Sequence, residues 1–206
     1  MGRRWFIMLF TSTTILVFLS ACSASCNCEE KELVYSPTKT SLVDGKEMVL
    51  VSAGDFIMGT DKVDDENSHR KIGAVKPLYL DQHPIRKIYL DEFYIDKYEV
   101  TNKEYKKFLD LSGYDELPGH WENGSYDVGT EMYPVTHITW RESLTYALWA
   151  KKTLPTEAQW EKAARGNYGS IFPWGNTYEK GKSNIDIDGL RALAKVGSYP
   201  GDVSPY

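Results

Sequence analysis

Apolar and polar positions alternate along two stretches in the first half of the chain. Residues 48–60, MVLVSAGDFIMGT, are rich in Val, Ile and Phe and contain Gly54 as a turn signal, so the pattern predicts a β-hairpin. Residues 86–101 alternate again, and their predicted buried positions are Ile88, Leu90, Phe93, Ile95, Tyr98 and Val100. The acidic, polar residues 61–74 between them predict an exposed loop.

Three later segments carry the capping-box signal of a helix start, in which a Thr hydroxyl and a Glu or Gln three residues later satisfy each other's free backbone N–H. The pairs are Thr101 with Glu104, Thr139 with Glu142, and Thr156 with Gln159. Apolar residues at helical spacing predict the three buried faces: Tyr105, Phe108 and Leu109; Leu144, Ala147 and Leu148; Trp160, Ala163 and Ala164. Gly113 and Gly166 are predicted to end the first and third helices.

Long segments rich in Gly, Asn and Tyr separate or follow these helices, at residues 119–140 and 167–190. Long ordered loops usually carry function or need something, such as a metal ion, to fix them. Short helices, short strands and much irregular chain predict the α+β class. The predicted core includes most of Trp121, Trp140, Trp149, Trp160 and Trp174.

Composition narrows the classes of partner and chemistry. With 206 residues and 42% hydrophobic content, the chain suits one domain of ordinary size. The formal charge is -5 and no basic stripe is present, which argues against a nucleic-acid partner. The histidines, His69, His83, His120 and His137, are too widely spaced for a motif and are predicted to be surface or hydrogen-bonded residues; Met48, Met58 and Met132 are predicted to be packing residues.

The first 22 residues have the form of a secretory signal: Arg3 and Arg4, an apolar run, then Leu19-Ser20-Ala21-Cys22. The run is too short and too polar to predict a transmembrane helix. Its end resembles the lipobox of bacterial lipoproteins, in which the Cys is lipid-modified and becomes the first residue. The resemblance implies a lipid anchor at Cys22, which places the protein on the membrane of a bacterial envelope, facing periplasm or exterior. The alternative is an ordinary cleaved signal with an incidental cysteine.

The remaining cysteines, Cys26 and Cys28, lie just beyond that signal, and residues 29–206 contain none. Their C-x-C spacing is neither the C-x-x-C of redox motifs nor half of a zinc site with a second pair. The surrounding polar sequence predicts a flexible tether. The predicted organisation is a signal peptide at 1–22, a tether at 23–46 and a folded domain at 47–206.

Four stretches together resemble the sulfatase-modifying factor family, that of the formylglycine-generating enzymes. They are FIMGT (56–60), FYIDKYEVTNKEYKKF (93–108), PVTHITWRESLTYALWAKKTLPTEAQWEKAARG (134–166) and FPWGN (172–176). The resemblance runs from about residue 48 to the end and implies a loop-rich variant of the C-type lectin-like fold. We expect that fold to be incomplete at the C-terminus, as in a fragment or a truncated reading frame.

Enzymes of that family oxidise a sulfatase cysteine to formylglycine with molecular oxygen, using copper held by a pair of cysteines. The matching region of this chain has no cysteine, and position 147 is Ala where many relatives have Cys. Because Cu(I) needs soft sulfur ligands, copper is not expected here and no catalytic residue is assigned. The family also binds structural calcium. Its pattern maps onto side-chain oxygens of Asn184 and Asp188 and backbone carbonyls of Ile185 and Leu190.

Hard oxygen donors on an irregular loop suit Ca²⁺. The segment is not an EF-hand, since Lys195 stands where that loop needs a bidentate acid. An Asx-rich turn without an ion is the alternative. For the whole chain, the favoured hypothesis is a non-catalytic, lipid-anchored family member that acts in binding or scaffolding, with a protein or glycan partner. The alternative is the N-terminal part of a copper-dependent oxidase that converts sulfatase cysteine to formylglycine.

Overall fold

The structure is a computed structural model, which describes residues 37–64, 76, 79–184 and 192–206. Its strands are β1 (Thr38–Thr40), β2 (Glu47–Val51), β3 (Gly54–Met58), β4 (Arg86–Leu90) and β5 (Phe93–Asp96). Its α-helices are α1 (Asn102–Ser112), α2 (Trp140–Trp149) and α3 (Glu157–Arg165), and a 3-10 turn covers Leu80–Gln82. Two small sheets, three helices and long loops in this part of the chain confirm the mixed, loop-rich class.

The two alternating stretches form strands, but β2 and β3 do not pair with each other. β2 lies between β1 and β5 in an antiparallel sheet, and β3 pairs only with β4. The hairpin predicted at 48–60 is therefore wrong. Val51 pairs with Phe93 and Gly54 with Leu90, so one register continues across the break between the two sheets. Alternation predicts a strand and its faces, whereas the partner is chosen by long-range packing.

A buried lysine from α3 bonds the segment where β2 ends and β3 begins. Lys162 of α3 is fully buried, and its ammonium donates to the carbonyl oxygens of Ser52 at 2.6 Å and Gly54 at 3.0 Å. The buried ammonium group is satisfied by these two carbonyl oxygens, as a buried charged donor must be. Desolvation lowers the pKa of Lys162. The interaction holds α3 against the bend between β2 and β3.

All three capping boxes are confirmed. In α1, the Thr101 hydroxyl accepts from the Glu104 N–H at 3.3 Å, and the Glu104 carboxylate accepts from the Thr101 N–H at 2.8 Å. The same reciprocal pair begins α2 and α3. Gly113 ends α1 with a left-handed φ of 71°, and Gly166 ends α3. The start of each helix was therefore predictable, because a cap is a local interaction.

The core is aromatic and joins α1 to α2. It contains the buried side chains of Tyr105, Phe108, Leu109, Trp121, Tyr146 and Ala150. Tyr105 packs edge-on against Phe108 with ring centroids 5.3 Å apart and stacks on Tyr146 at 5.9 Å. The predicted face of α1 is confirmed. These contacts put the hydroxyl-bearing rings of Tyr105 and Tyr146 side by side at the centre of the fold.

Some predicted core residues are exposed instead. Leu148 on α2 is 58% exposed, and Tyr146 occupies the core position. Trp140 and Trp160 are 70% and 63% exposed, so the prediction that most of the tryptophans are core fails for them, although Trp121 is buried. A short helix with apolar residues on two sides has two candidate buried faces, and only tertiary packing selects one.

The predictions that the methionines and Tyr98 are buried are correct for some of these residues and wrong for others. Met48 and Met58 pack in the core, whereas Met132 and Tyr98 are largely exposed.

β1 and the buried residues Asp44 and Lys46 fall within 37–46, part of the predicted tether, so the described part of that segment is folded rather than flexible. The predicted signal peptide lies outside the described residues. Of the helices described, none has both the length and the apolar character needed to cross a membrane.

Candidate functional site

A cavity of about 540 Å³ lies beside β5. Every residue of β5 lines it, and α1, α2 and the connection between α2 and α3 complete its walls. The apolar part of the lining consists of Met48, Phe93, Ile95, Val100, Ile138, Ala147, Leu154 and Pro155. Such a volume with mostly apolar walls and a few polar groups is typical of a ligand-binding site.

Lys152 supplies a positive charge to one corner of this cavity. Its ammonium lies 2.7 Å from Asp44 Oδ2 and 2.6 Å from Asp96 Oδ1. The Tyr146 hydroxyl donates to the same Asp44 oxygen at 3.3 Å. The corner therefore contains one positive and two negative side chains in contact, largely shielded from water.

The turn after α2 aims Lys152 into this corner. The Lys152 N–H donates to the Ala147 carbonyl at 2.8 Å and the Lys151 N–H to the Leu148 carbonyl at 3.1 Å. Lys151 adopts a left-handed φ of 60° between them. This is the bonding pattern of a Schellman helix end, with lysine at the position that glycine usually occupies. The absence of glycine is why the sequence did not indicate this turn or the site residue after it.

The two carboxyl groups differ in their electrostatics. Burial opposes ionisation of Asp44, but hydrogen bonds from Lys152 and Ser41 and the charge of Lys152 outweigh it, so the pKa of Asp44 is lowered. Burial dominates at Asp96 and raises its pKa, although Lys152 partly offsets the effect. The corner thus holds Asp44 as a carboxylate and makes Asp96 the more basic of the two.

Tyr105, one of the residues around the cavity, has a buried and unpaired hydroxyl group. Its side chain is fully buried and its hydroxyl oxygen has no hydrogen-bond partner among the described residues. Burial is the main reason that the pKa values of Tyr105 and Tyr146 are both raised. Both hydroxyl groups therefore stay protonated at neutral pH, and each can still donate a hydrogen bond.

The open edge of β5 also faces this region. Lys97 N–H donates to the Glu47 carbonyl, so alternate residues Ile95 and Phe93 direct their backbone groups toward β2. The backbone N–H and C=O groups of Tyr94 and Asp96 consequently point the other way. No other strand of the described chain pairs with that edge. Backbone donors and acceptors are thus presented beside the cavity.

The side chains around the cavity do not fit a copper site. Ala147 lines it, and residues 29–206 supply no thiol that could act as a soft ligand. In the part of the chain that the structure describes, no group of three or more His, Cys, Asp and Glu is placed to hold a metal ion. The arrangement offers apolar walls, hydrogen-bonding groups and charge to a ligand.

The residues predicted for calcium and lipid fall mainly outside the described ranges. Ile185, Asp188, Leu190 and Cys22 all do so. Asn184 is exposed, and its side-chain N–H donates to the Ala192 carbonyl at 2.9 Å, which leaves its oxygen available as a ligand. The calcium and lipid sites therefore remain predictions. Sequence reasoning had missed Asp44, Asp96 and Lys152 because isolated charges near element ends look like ordinary surface residues.

Comparisons with known proteins agree with the fold. The model of the family described as "Sulfatase-modifying factor enzyme 1-like domain" matches residues 34–201. The chain is 30% identical over 207 aligned residues to the formylglycine-generating enzyme of Bos taurus, covering 74% of this chain and 52% of that protein. It is 26% identical to the inactive C-alpha-formylglycine-generating enzyme 2 of the same species, covering 74% of this chain and 64% of the relative.

A solved structure has a similar fold. PvdO from Pseudomonas aeruginosa superposes with a TM-score of 0.59 at 26% identity, covering 82% of this chain and 70% of that one. The similarity supports the loop-rich fold that the resemblance implied. The chain spans about half the length of the bovine enzyme that it matches.

Proposed function

This chain belongs to the family of sulfatase-modifying factor enzyme 1-like domains, and on that premise we propose that it is a non-catalytic binding member. Its ligand is an extended polypeptide segment that lies in the cavity beside β5. The observation that carries the proposal is the free backbone edge of Tyr94 and Asp96 at a cavity of about 540 Å³. An added strand would pair with that edge, a mode in which main-chain bonds supply affinity.

The cavity walls support the same class of ligand. Side chains of an extended segment point alternately to opposite sides, so every second one would enter the apolar region around Phe93, Ile95 and Ala147.

The lack of soft ligands supports a binding role rather than oxidation. Residues 29–206 contain no cysteine, and Ala147 lies in the cavity wall at a position where the family resemblance implies Cys in many members. Family membership is compatible with this role, since one relative is named as an inactive formylglycine-generating enzyme. No step of copper chemistry is assigned to the described residues.

The second candidate function is that of the oxidase. It is favoured by the 30% identity to the bovine formylglycine-generating enzyme. The two functions differ in one product: an oxidase converts a substrate cysteine to an aldehyde. Incubating the full chain with Cu(I), oxygen and a cysteine-containing peptide should leave the peptide unchanged. Aldehyde formation, trapped with a hydrazide probe and dependent on the chain, would reverse the choice.

Attachment to a membrane is proposed through Cys22. The support is the sequence Leu19-Ser20-Ala21-Cys22 at the end of an apolar run, since acyl chains on one residue can hold a soluble domain at a bilayer. Changing Cys22 to Ser should release the protein from the membrane fraction of a bacterial host, whereas Cys26→Ser should leave it attached. Equal fractionation of the two variants would refute the anchor.

Peptide binding can be tested with probes that separate backbone pairing from side-chain contact. The first probe is a hexapeptide that alternates Val and Thr, and the second is the same peptide with N-methylated backbone amides. The first should shift the amide NMR signals of Tyr94 and Asp96, whereas the second should not, because N-methylation removes the donors needed for strand pairing. Oligomers of N-acetylglucosamine form a third arm.

Two variants on one helix provide the matched control. Ser143→Trp places a large ring at the cavity wall and should abolish peptide binding, whereas Leu148→Trp lies at an exposed position outside the lining. Shifts caused only by the oligosaccharide would replace a polypeptide ligand with a glycan. Equal binding of the methylated and unmethylated peptides, or no effect of Ser143→Trp, would contradict the proposed mode.

A further inference from the structure

Two histidines that are distant in sequence meet at the surface. The imidazole rings of His120 and His137 lie with their centroids 4.8 Å apart and their planes at 47°. Both residues are exposed, so water and ions can reach them. Neither residue lines the cavity beside β5. The wide spacing of the histidines in the sequence had argued against a cluster, and the fold creates one.

His120 lies on a loop whose position is fixed by buried neighbours. Pro118 is fully buried and Trp121 belongs to the core. The Trp121 N–H donates to the Pro118 carbonyl at 2.9 Å, which closes a turn around His120. The imidazole is therefore presented from a well-anchored turn. Its placement costs little additional ordering when an ion binds.

His137 is held from both sides as well. The Val135 N–H donates to the Val100 carbonyl at 2.9 Å, and Thr139 begins α2 as its cap. Between them His137 adopts a left-handed φ of 57°. A residue other than glycine is uncommon in that conformation, and such a residue warrants a functional explanation. In this conformation the His137 ring lies beside that of His120.

A hydroxyl group lies next to one ring nitrogen of His137. Thr136 Oγ1 is 3.1 Å from His137 Nδ1. When this oxygen accepts from Nδ1–H, the lone pair of the ring is on Nε2, which is the form that binds a metal through Nε2. Hydrogen bonds of this kind to the second nitrogen commonly orient metal-binding histidines.

We propose that His120 and His137 form a two-imidazole site that binds a late first-row divalent cation: Cu(II), Ni(II) or Zn(II). Imidazole nitrogen suits these ions, and their general order of affinity places Cu(II) first. Water completes the coordination sphere, because both rings are exposed. The site is independent of the proposed polypeptide cavity.

The test is calorimetric titration of the untagged full chain with CuCl₂, NiCl₂ and ZnCl₂. The three N-terminal cysteines are changed to serine throughout, so that thiolates do not compete for the ion. His120→Gln and His137→Asn each remove one imidazole, and Asn tolerates the left-handed backbone at position 137. His83→Gln is the matched control, since its ring bonds the Lys62 carbonyl and lies outside the pair.

The parent protein should bind one ion per chain, with Cu(II) tighter than Ni(II) or Zn(II). Each substitution in the pair should weaken binding by about tenfold or more, since losing even an orienting partner of a ligand typically costs about 10–100-fold in affinity. His83→Gln should bind as the parent does. Sub-stoichiometric binding by the parent, or equal affinity in the His137→Asn variant, would overturn the site.

A second measurement keeps the result independent of changes in folding. Trace Cu(II) is paramagnetic and should broaden the imidazole proton NMR signals of His120 and His137 before those of His83. Circular dichroism spectra of all variants should superimpose. Broadening of His83 first, or uniform broadening of all histidines, would show adventitious surface binding and contradict the proposed pair.

Discussion

Lys152 and Asp44 form an ion pair across the interior, with Lys152 Nζ 2.7 Å from Asp44 Oδ2. The Asp44 side chain is only 1% exposed. The pair connects the segment before β2 to the turn after α2, and Asp96 of β5 joins it on the cavity side. A buried charge without its partner is costly, so this contact ties three distant parts of the chain together.

Removing the ammonium should therefore destabilise the fold strongly. Lys152→Met leaves two carboxyl groups without their counter-charge and should lower the free energy of unfolding by about 3–5 kcal/mol in urea denaturation. Lys97→Met is the matched control, because the Lys97–Glu47 pair is exposed and worth about 1 kcal/mol or less. Similar losses in the two variants would show that the corner is effectively solvated.

Acidification should lower the stability of the fold because it protonates Asp44. Because the pKa of Asp44 is lower in the folded chain, its contribution is complete above the ordinary aspartate pKa of about 3.9. That contribution is lost as pH falls through the lower, folded value. Asp96, with a raised pKa, has the opposite sign. Asp44→Asn should be less stable at neutral pH and should lose less stability on acidification; a parallel pH profile would contradict this assignment.

The two stacked tyrosines should respond differently to loss of their hydroxyl groups. Tyr105→Phe removes a buried hydroxyl without a partner in the described structure and should be neutral or stabilising by about 1 kcal/mol. Tyr146→Phe removes the hydrogen bond to Asp44 and should destabilise by about 1 kcal/mol. Thermal unfolding at neutral pH measures both. A clear loss in Tyr105→Phe would reveal a hydrogen-bond partner for that hydroxyl.

The helix end before Lys152 offers a test of backbone strain. Lys151 and Gly113 have similar left-handed φ values, 60° and 71°, just past the ends of α2 and α1. Lys151→Gly should raise the free energy of unfolding by about 1 kcal/mol, because glycine adopts this conformation without a steric cost. Gly113→Ala should lower it by a similar amount, because alanine is strained in this conformation. No atom lies near the added Cβ, so a steric clash with neighbouring residues would not contribute. Changes of the same sign would exclude backbone conformation as the cause.

Calcium binding stays a prediction from the sequence resemblance. Asp188→Ala should lower the unfolding temperature in buffer with Ca²⁺ and have little effect with a chelator, because an ion that binds only the folded chain stabilises it. Asp186→Ala provides a neighbouring control, since the resemblance assigns no ligand at that position. If Asp188→Ala destabilises equally under both conditions, the segment is an ion-free turn.

The local elements and the family could both be predicted from short stretches of sequence. The caps at Thr101, Thr139 and Thr156 start helices in the structure as predicted, and alternation identified the strands. These signals are readable because each depends on residues within a few positions of one another. The long family-like stretches likewise predicted the loop-rich fold correctly.

The pairing of the strands and the meeting of distant charges depend instead on the three-dimensional fold. It separated β2 from β3, buried Tyr146 rather than Leu148, and brought Lys152 to Asp44. It also placed His120 beside His137. Each of these outcomes depends on contacts between residues far apart in the chain, whose energies follow from burial and packing in the complete fold. Local patterns contain no information about those distances, which is why the candidate site could not be predicted from them.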